Sequence, residues 1–570
     1  MSPLDVLQAE PKIAYFSMEI GLRSDVPTYS GGLGVLAGDT IKACADLKLP
    51  VVGVTLVSRQ GYFRQELDAN GRQHARPSPW DPSRLMTLVK PRVKVVLDRR
   101  PVAVGAWLYW VDSPTGGRIP VLFLDTDFPD NAPEHRELTS FLYGHDAAYR
   151  LRQEAVLGLG GGKMLQALGI TVRKYHMNEG HSALLTLELL ERFRRPIESV
   201  WQEDLVWDVE RIKDLCVFTT HTPVEAGHDR FPYDLVERVL GAPLPIEVLK
   251  RLGGPEELNM TLLALNLSRF VNGVAKKHGE VSRALFPGYE ISAITNGVHS
   301  FTWTCPDLAA LYDAHLPGWA NEPELLVRVD NIPDAALWAA HQAAKTRLLA
   351  LVARATGARM SPDVLTIGFA RRMTMYKRAD LLFSDVKRLA DFGDGRLQVV
   401  LAGKAHPQDE PGQHIIERLF QAIEALRGRV TVAFLPDYQM DMALTLIAGS
   451  DLWLNTPRRP HEASGTSGMK ATHNGVPNFS VLDGWWIEGH VEGVTGWSIG
   501  PPPWESTLTD TPDIRDAHDL YDKLERVILP LYYDDRPGWI AVMKHAIGKN
   551  ASYFNCHRMM RRYVTEAYLR

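Results

Sequence analysis

Cysteine is scarce. The 570 residues hold four, Cys44, Cys216, Cys305 and Cys556, far apart in sequence and with no CxxC pair. That pattern excludes a zinc knuckle and a disulfide framework, and it suits a reducing compartment. Long apolar runs are also missing: a stretch such as Val51–Val57 falls far short of the ~20 residues that cross a bilayer. The opening Met1-Ser2-Pro3-Leu4-Asp5 has no basic segment followed by an apolar core, so no signal peptide is read there and a cytoplasmic location is expected. Positive charge is in deficit as well, with 63 Lys and Arg against 68 Asp and Glu, a formal net charge of −5. A broad basic surface for nucleic acid or an anionic membrane is thereby excluded, and any phosphate must meet a local cluster of cations. Internal repeats, low-complexity tracts and charged tails are absent too.

What is present is the composition of a folded enzyme, 45% hydrophobic and 23% charged. Short β-branched runs alternate with longer helical patterns. Ile13–Phe16, Val51–Val57, Pro120–Leu124 and Leu215–Thr219 read as buried strands, and so do Val364–Ala370, Leu397–Leu401, Val430–Phe434, Leu452–Leu454 and Asn478–Val481. Pro333–Thr356 and Gln413–Leu426 carry apolar residues at helical spacing. Strand followed by helix, repeated in both halves, predicts an α/β protein of two Rossmann-like domains facing a deep cleft. The expected domains are residues 1–310 and 311–545, with 546–570 packing back on the first. Trp486–Ser506, rich in Gly, Pro and Trp, reads as an ordered surface loop.

Two stretches imitate known sites. Leu157-Gly158-Leu159-Gly160-Gly161-Gly162-Lys163 looks like a nucleotide loop, but Met164 stands where Ser or Thr is needed and a helix precedes it. A helix break with close packing is expected instead. His176-Met177-Asn178-Glu179-Gly180-His181 and His221…Glu225…His228 lack the HExxH spacing of a zinc site and read as cleft-lining polar residues.

Three clusters carry chemistry. Glu462-Ala463-Ser464-Gly465-Thr466-Ser467-Gly468-Met469-Lys470 follows a strand and the pair Arg458-Arg459. Small residues leading into a helix allow backbone N–H groups to approach an anion, with Lys470 about one turn in. That lysine is either a point charge on a phosphate or the Schiff-base partner of an aldehyde cofactor. Arg371-Arg372-Met373-Thr374-Met375-Tyr376-Lys377-Arg378 crowds four cations at a strand end, which is costly unless an anion lies among them; Lys404 follows the next strand and is a candidate to join them. Near the start, Thr28-Tyr29-Ser30-Gly31-Gly32-Leu33-Gly34-Val35-Leu36-Ala37-Gly38-Asp39 has glycines that can bring backbone amides up to a phosphate or sugar.

At these residues the sequence resembles the α-glucan (glycogen, starch, maltodextrin) phosphorylases, in particular their shorter bacterial branch. Tyr15–Glu19, Tyr29–Gly38, His176–His181, Thr219–Thr222, Val271–Ala275, Thr295–Val298, the cationic cluster and Glu462–Lys470 follow in family order over nearly the whole chain. The resemblance implies the type B glycosyltransferase fold and pyridoxal 5'-phosphate on Lys470. It assigns Arg371, Gly32, Thr466 and Ser467 to the cofactor phosphate, and Arg372 and Lys377 to the substrate phosphate. Glu462, Ser464, Gly465, Tyr376, Asn296, Gly31 and, more loosely, His181 go to the glucosyl pocket, with His221 near the 6-position. The implied partners are an α-glucan or maltodextrin, inorganic phosphate and glucose 1-phosphate; the oligomeric state stays open. The implied reaction is retaining phosphorolysis, without the carboxylate pair of a hydrolase.

Departures exist. Arg371 stands where long phosphorylases have Lys, Thr374 where they have His, and Ser467-Gly468 where they have Gly-Asn. Little sequence precedes Tyr15, so control through an N-terminal phosphorylation segment is not expected. A sugar-nucleotide-dependent glucan synthase shares the glycine turn, and a catalytically silent glucan binder is the other rival reading.

Overall fold

The computed structural model describes residues 7–144, 146–200, 206–503 and 512–570. It divides into two compact units: Met1–Tyr62, Pro77–Ile294 and Met560–Arg570 form the first, and Phe63–Arg76 and Thr295–Met559 form the second. Each has its own apolar core around a largely parallel sheet.

In the first unit the main parallel strands are β1 (Lys12–Ser17), β2 (Val51–Leu56), β4 (Arg118–Asp125), β5 (Val172–Asn178), β6 (Cys216–Thr219) and β7 (Phe270–Gly273), with the two-residue strand Ser292–Ala293 parallel to β7 at the edge; β3 (Arg100–Asp112) runs antiparallel to β4. β1, β2 and β6 are buried along their whole length, as expected of apolar runs covered on both faces. The spatial order is β4-β2-β1-β5-β6-β7. Leaving aside β3 and the two-residue edge strand, this is the doubly wound order 3-2-1-4-5-6, whose switch point lies between β1 and β5. The helix α1 (Gly32–Asp46) packs its backbone closely on the chain before it: a Cβ on Gly38 would lie 1.8 Å from the carbonyl oxygen of Gly21.

In the second unit β8 (Leu365–Ala370), β9 (Leu397–Ala402), β10 (Thr431–Leu435), β11 (Leu452–Asn455), β12 (Asn478–Val481) and β13 (Gly496–Ile499) are all parallel. Their order, β10-β9-β8-β11-β12-β13, repeats 3-2-1-4-5-6 and puts the switch point between β8 and β11.

Several expectations need correction. The glycine run at 157–163 does not break a helix. Residues 156–160 form a π-helical turn joining the helices Ala147–Ala155 and Gly161–Ala167. The close packing is there: a Cβ on Gly158 would meet the Leu185 nitrogen at 2.4 Å, and one on Gly161 would meet the Phe16 ring at 2.6 Å. The stretch from Trp486 is no surface loop. It holds a short helix, Trp486–Gly489, and the buried strand β13, with Trp486 and Trp497 each 1% exposed; residues 504–506 lie outside those described. The division falls at 294/295 rather than 310, because Thr295–Trp303 is bonded to the second unit. Thr295 Oγ1 donates to Glu488 (2.9 Å), Asn474 Nδ2 donates to the Trp303 carbonyl (2.6 Å), and Ser300 Oγ meets His473 Nε2 (2.9 Å). Of 546–570, only Met560–Arg570 belongs to the first unit. There the Tyr563 hydroxyl meets Asn272 Nδ2 (3.0 Å) and Thr219 Oγ1 (3.1 Å), and Tyr568 meets His176 Nδ1 (2.7 Å). No helix among the described residues is long and apolar enough to cross a membrane.

Candidate active site

In each unit the candidate residues gather at the carboxyl ends of strands around the switch point, where open α/β sheets bind ligands. In the first unit β1 runs into Glu19, a buried carboxylate. It accepts the N–H of Ser30 (2.6 Å), the N–H of Gly31 (3.3 Å) and the hydroxyl of Tyr143 (2.7 Å). The Gly31 amide is therefore engaged by the protein itself, whereas Gly32 has open space where a Cβ would stand. β5 ends in Asn178, and Glu179 follows it directly. Glu179 holds a left-handed φ of 75°, a conformation costly for a non-glycine residue. Its carboxylate accepts from the N–H groups of His221 (2.7 Å) and Gly180 (3.0 Å) and from the Thr222 hydroxyl (3.0 Å), so one side chain ties the ends of β5 and β6 together. Burial lifts its pKa above the usual carboxylate range.

His221 Nε2 lies 2.7 Å from Asn178 Oδ1, and burial pushes the ring down to about 3, so it is neutral at physiological pH. His181 is held at about 4 by burial, with Arg150 adding to the effect; its Nε2 is 3.5 Å from Asp229, and its buried Nδ1 has no hydrogen-bond partner. The two motifs read as metal decoys part company here. His176 bonds Tyr568 and Thr219 Oγ1 (2.8 Å), and His228 Nδ1 bonds Thr261 Oγ1 (2.8 Å), so both act as packing residues.

In the second unit β8 delivers Arg371 and Arg372, and the loop after β11 delivers Glu462. Arg371 meets the Glu462 carboxylate at 2.6 Å, and Lys377 pairs with the same oxygen. Burial opposes ionisation of Glu462, but the two cations outweigh it and hold its pKa at about 2. Thus the anion among the clustered cations is here a carboxylate. Two of the remaining expected members, Arg378 and Lys404, turn elsewhere. Arg378 bonds the carbonyls of Thr456 and Pro457 and the carboxylates of Asp513 and Asp516. Lys404 pairs with Asp437 (2.6 Å) and donates to the Phe63 carbonyl (2.9 Å). Arg372 is exposed. The Lys377 ammonium sits 4.4 Å from the Tyr376 ring centroid, and that ring lies 6.2 Å from His461.

The Glu462 backbone is fixed by Asp483, a buried residue at the end of β12. Asp483 Oδ2 accepts the Glu462 N–H (2.9 Å) and Oδ1 the Gly484 N–H (2.9 Å). Burial, with the neighbouring Glu462 charge adding to it, raises the Asp483 pKa to about 7. The Trp485 N–H also donates to the Ser464 carbonyl (2.9 Å), so the two loops are docked at two points. Beyond Gly465 (φ 82°) and Thr466, the short helix Ser467–Thr472 carries Lys470, which is buried with its ammonium 4.0 Å from the Trp303 ring centroid. Ser467 Oγ accepts from Trp453 Nε1 (3.1 Å), and the buried Ser464 Oγ has no hydrogen-bond partner. The carbonyl of Asn296 is gripped by Arg558 (2.9 Å).

The carbohydrate phosphorylase family model matches residues 248–493. Over 98% of its length the chain is 37% identical to the maltodextrin phosphorylase of Thermococcus litoralis, covering 70% of that protein. It is 36% identical to the glycogen phosphorylases of Aquifex aeolicus and Mycobacterium tuberculosis, again over 98% of this chain, covering 86% and 70% of those proteins. The chain belongs to the carbohydrate phosphorylase family. The type B glycosyltransferase fold implied by the resemblance is this family's fold, and each unit has the Rossmann strand order it requires. The structure adds roles that motif reading did not assign: Glu19, Asn178, Glu179 and Asp483 hold the site loops, and Trp303 packs against Lys470. The available signal was a polar or acidic residue directly after a buried apolar strand, as in Phe16-Ser17-Met18-Glu19 and Val481-Leu482-Asp483.

Proposed function

We propose that this protein is an α-1,4-glucan phosphorylase, which moves the glucosyl unit at the non-reducing end of an α-glucan or maltodextrin to inorganic phosphate and releases glucose 1-phosphate. The observation that carries this reading is the Arg371–Glu462–Lys377 cluster, whose carboxylate stands on the loop leading into buried Lys470, at the switch point of a Rossmann sheet. Relatives named maltodextrin and glycogen phosphorylase support the glucan as substrate.

The residues present suit pyridoxal 5'-phosphate. Lys470 offers a buried primary amine against an indole face, Ser464 a buried hydroxyl without a partner, and Arg371 a guanidinium. Lys470 would hold the group, with Arg371, Thr466, Ser467 and Gly32 on its phosphate. When bound, it supplies a second phosphate that assists proton transfer. The protein's own task is then electrostatic. Arg372 and Lys377 hold inorganic phosphate against the repulsion of a like charge. Glu462 is ionised at neutral pH and accepts from sugar hydroxyls, joined by Ser464, Gly465, Tyr376 and Asn296; Gly31 and His181 complete the glucosyl pocket, and neutral His221 accepts from the hydroxyl at the 6-position. The bound phosphate gives its proton to the departing glycosidic oxygen and attacks the anomeric carbon from the same face, so configuration is retained. A cytoplasmic setting accords with four free, buried thiols.

Borohydride reduction followed by peptide mapping tests the reading. A pyridoxyl-phosphate adduct on Lys470, together with phosphate-dependent release of glucose 1-phosphate from maltodextrin, is the expected result. An unmodified Lys470 in cofactor-supplied protein refutes it and favours a sugar-nucleotide-dependent synthase or a silent binder.

A further inference from the structure

Three strand ends at the first unit's switch point are joined by a one-directional chain of hydrogen bonds. The Ser17 hydroxyl donates to the Glu19 carbonyl (2.7 Å), which can only accept. With its proton spent there, Ser17 Oγ is an acceptor, and it lies 3.1 Å from Asn178 Nδ2. The Asn178 amide is therefore oriented, with its NH2 towards Ser17 and its Oδ1 towards His221 Nε2 at 2.7 Å. An oxygen at that distance needs a proton on Nε2. Reversing the amide would set two lone-pair oxygens against each other at the buried Ser17. Turning the Ser17 hydroxyl to compensate would strip the Glu19 carbonyl of its bond. Ser17 and Asn178 are both buried, so water does not repair either loss.

We propose that Ser17 and Asn178 are positioning residues that lock the His221 imidazole as its Nε2–H tautomer, leaving the Nδ1 lone pair as an acceptor that selects a hydroxyl on the bound sugar. Among the described residues no group bonds Nδ1, and His221 is half-buried, not sealed. Burial keeps the ring neutral. The titratable groups around it are Glu179, which takes the backbone N–H, and the imidazoles of His176, His181 and His278, which disfavour a second proton on the ring. The ring is thus a fixed acceptor across the physiological range and takes no part as a general acid. This inference rests on the phosphorylase reading for the sugar, but not for the tautomer.

The test separates the two. In protein carrying ring-15N histidine, with the His221 signals assigned by their loss in His221→Gln, Nε2 is expected to be protonated, Nδ1 bare, and neither to change between pH 5 and 8. Asn178→Asp places a carboxylate on Nε2 and favours the doubly protonated ring, so the same signals should titrate within that range. Ser17→Ala, the milder change, frees the amide and should give a mixture of tautomers. A wild-type ring protonated on Nδ1, or titrating between pH 5 and 8, overturns the proposal; so does an unchanged spectrum in a folded Asn178→Asp or Ser17→Ala protein. In the synthetic direction, wild type should discriminate against 6-deoxy-6-fluoroglucosyl phosphate relative to glucose 1-phosphate in kcat/KM. Asn178→Asp at low pH, now offering an Nδ1 proton, should reduce that discrimination at least tenfold. Unchanged discrimination with the expected tautomer overturns the hydroxyl selection, whereas a wild-type protein inactive on either donor refutes the phosphorylase reading and leaves the tautomer result standing.

Discussion

Replacing Glu462 by Gln keeps the size of the side chain and removes the charge between Arg371 and Lys377. A carboxyl held at about 2 against its ordinary 4.5 contributes about 3 kcal/mol at neutral pH. Its side chain is only 11% exposed, so solvent screening reduces that figure little. An independent estimate agrees: breaking a buried ion pair from one side costs about 3–5 kcal/mol, because the remaining cations are left uncompensated. The sign follows from the direction of the shift. A depressed carboxyl stabilises above its unfolded value near 4.5 and loses that contribution as the pH falls towards 2. Differential scanning calorimetry of both proteins from pH 7 to pH 3 should therefore show a gap that is widest at neutrality and narrows in acid. At about 2 °C per kcal/mol for a unit of this size, the expected gap at pH 7 is about 6 °C in the transition of the second unit. The double variant Lys377→Met, Glu462→Gln should recover part of it. A gap that is the same at pH 3 and pH 7, or none at pH 7, refutes the account of the cluster.

Asp483 carries the opposite sign. Its carboxyl, raised to about 7, makes the fold lose stability as the pH climbs from about 4 to 7, so Asp483→Asn should compare better with wild type at pH 8 than at pH 5, as thermal unfolding at the two values will tell. Tyr563→Phe leaves Asn272 and Thr219 short of a buried partner and should cost about 1–3 kcal/mol, with faster proteolysis of residues 560–570 as the readout.

Much of this molecule is legible in its sequence, for identifiable reasons. Strands buried on both faces appear as unbroken apolar runs, so Ile13–Phe16 and Val364–Ala370 announce both sheets. The cluster at 371–378 and the 462–470 loop stand at strand ends, where local order and chemistry coincide. What local order cannot reveal is direction. Arg371 and Arg378 are equivalent by spacing, yet one faces Glu462 and the other Asp513 and Asp516, partners 135 and 138 residues away. Lys404 is diverted likewise by Asp437. The network of Glu19, Asn178, Glu179 and His221 is equally hidden, since parallel pairing brings together strand ends that are distant in sequence, Ser17 beside Asn178 and Asn178 beside Thr219. A π-helical turn through glycines also has no periodic signature of its own, and the run at 157–163 reads as an interruption.

The tyrosines at 563 and 568 bear on the order in which this protein can mature. Most of its first unit is translated early, but His176, Thr219 and Asn272 await the hydroxyls of Tyr563 and Tyr568, encoded well beyond Ile294. At about 5–20 residues per second, ribosomal synthesis of that interval takes roughly 15–50 s. During that time a nearly finished sheet carries polar groups without their final partners, so the first unit cannot complete its bonding until residues 560–570 have been made.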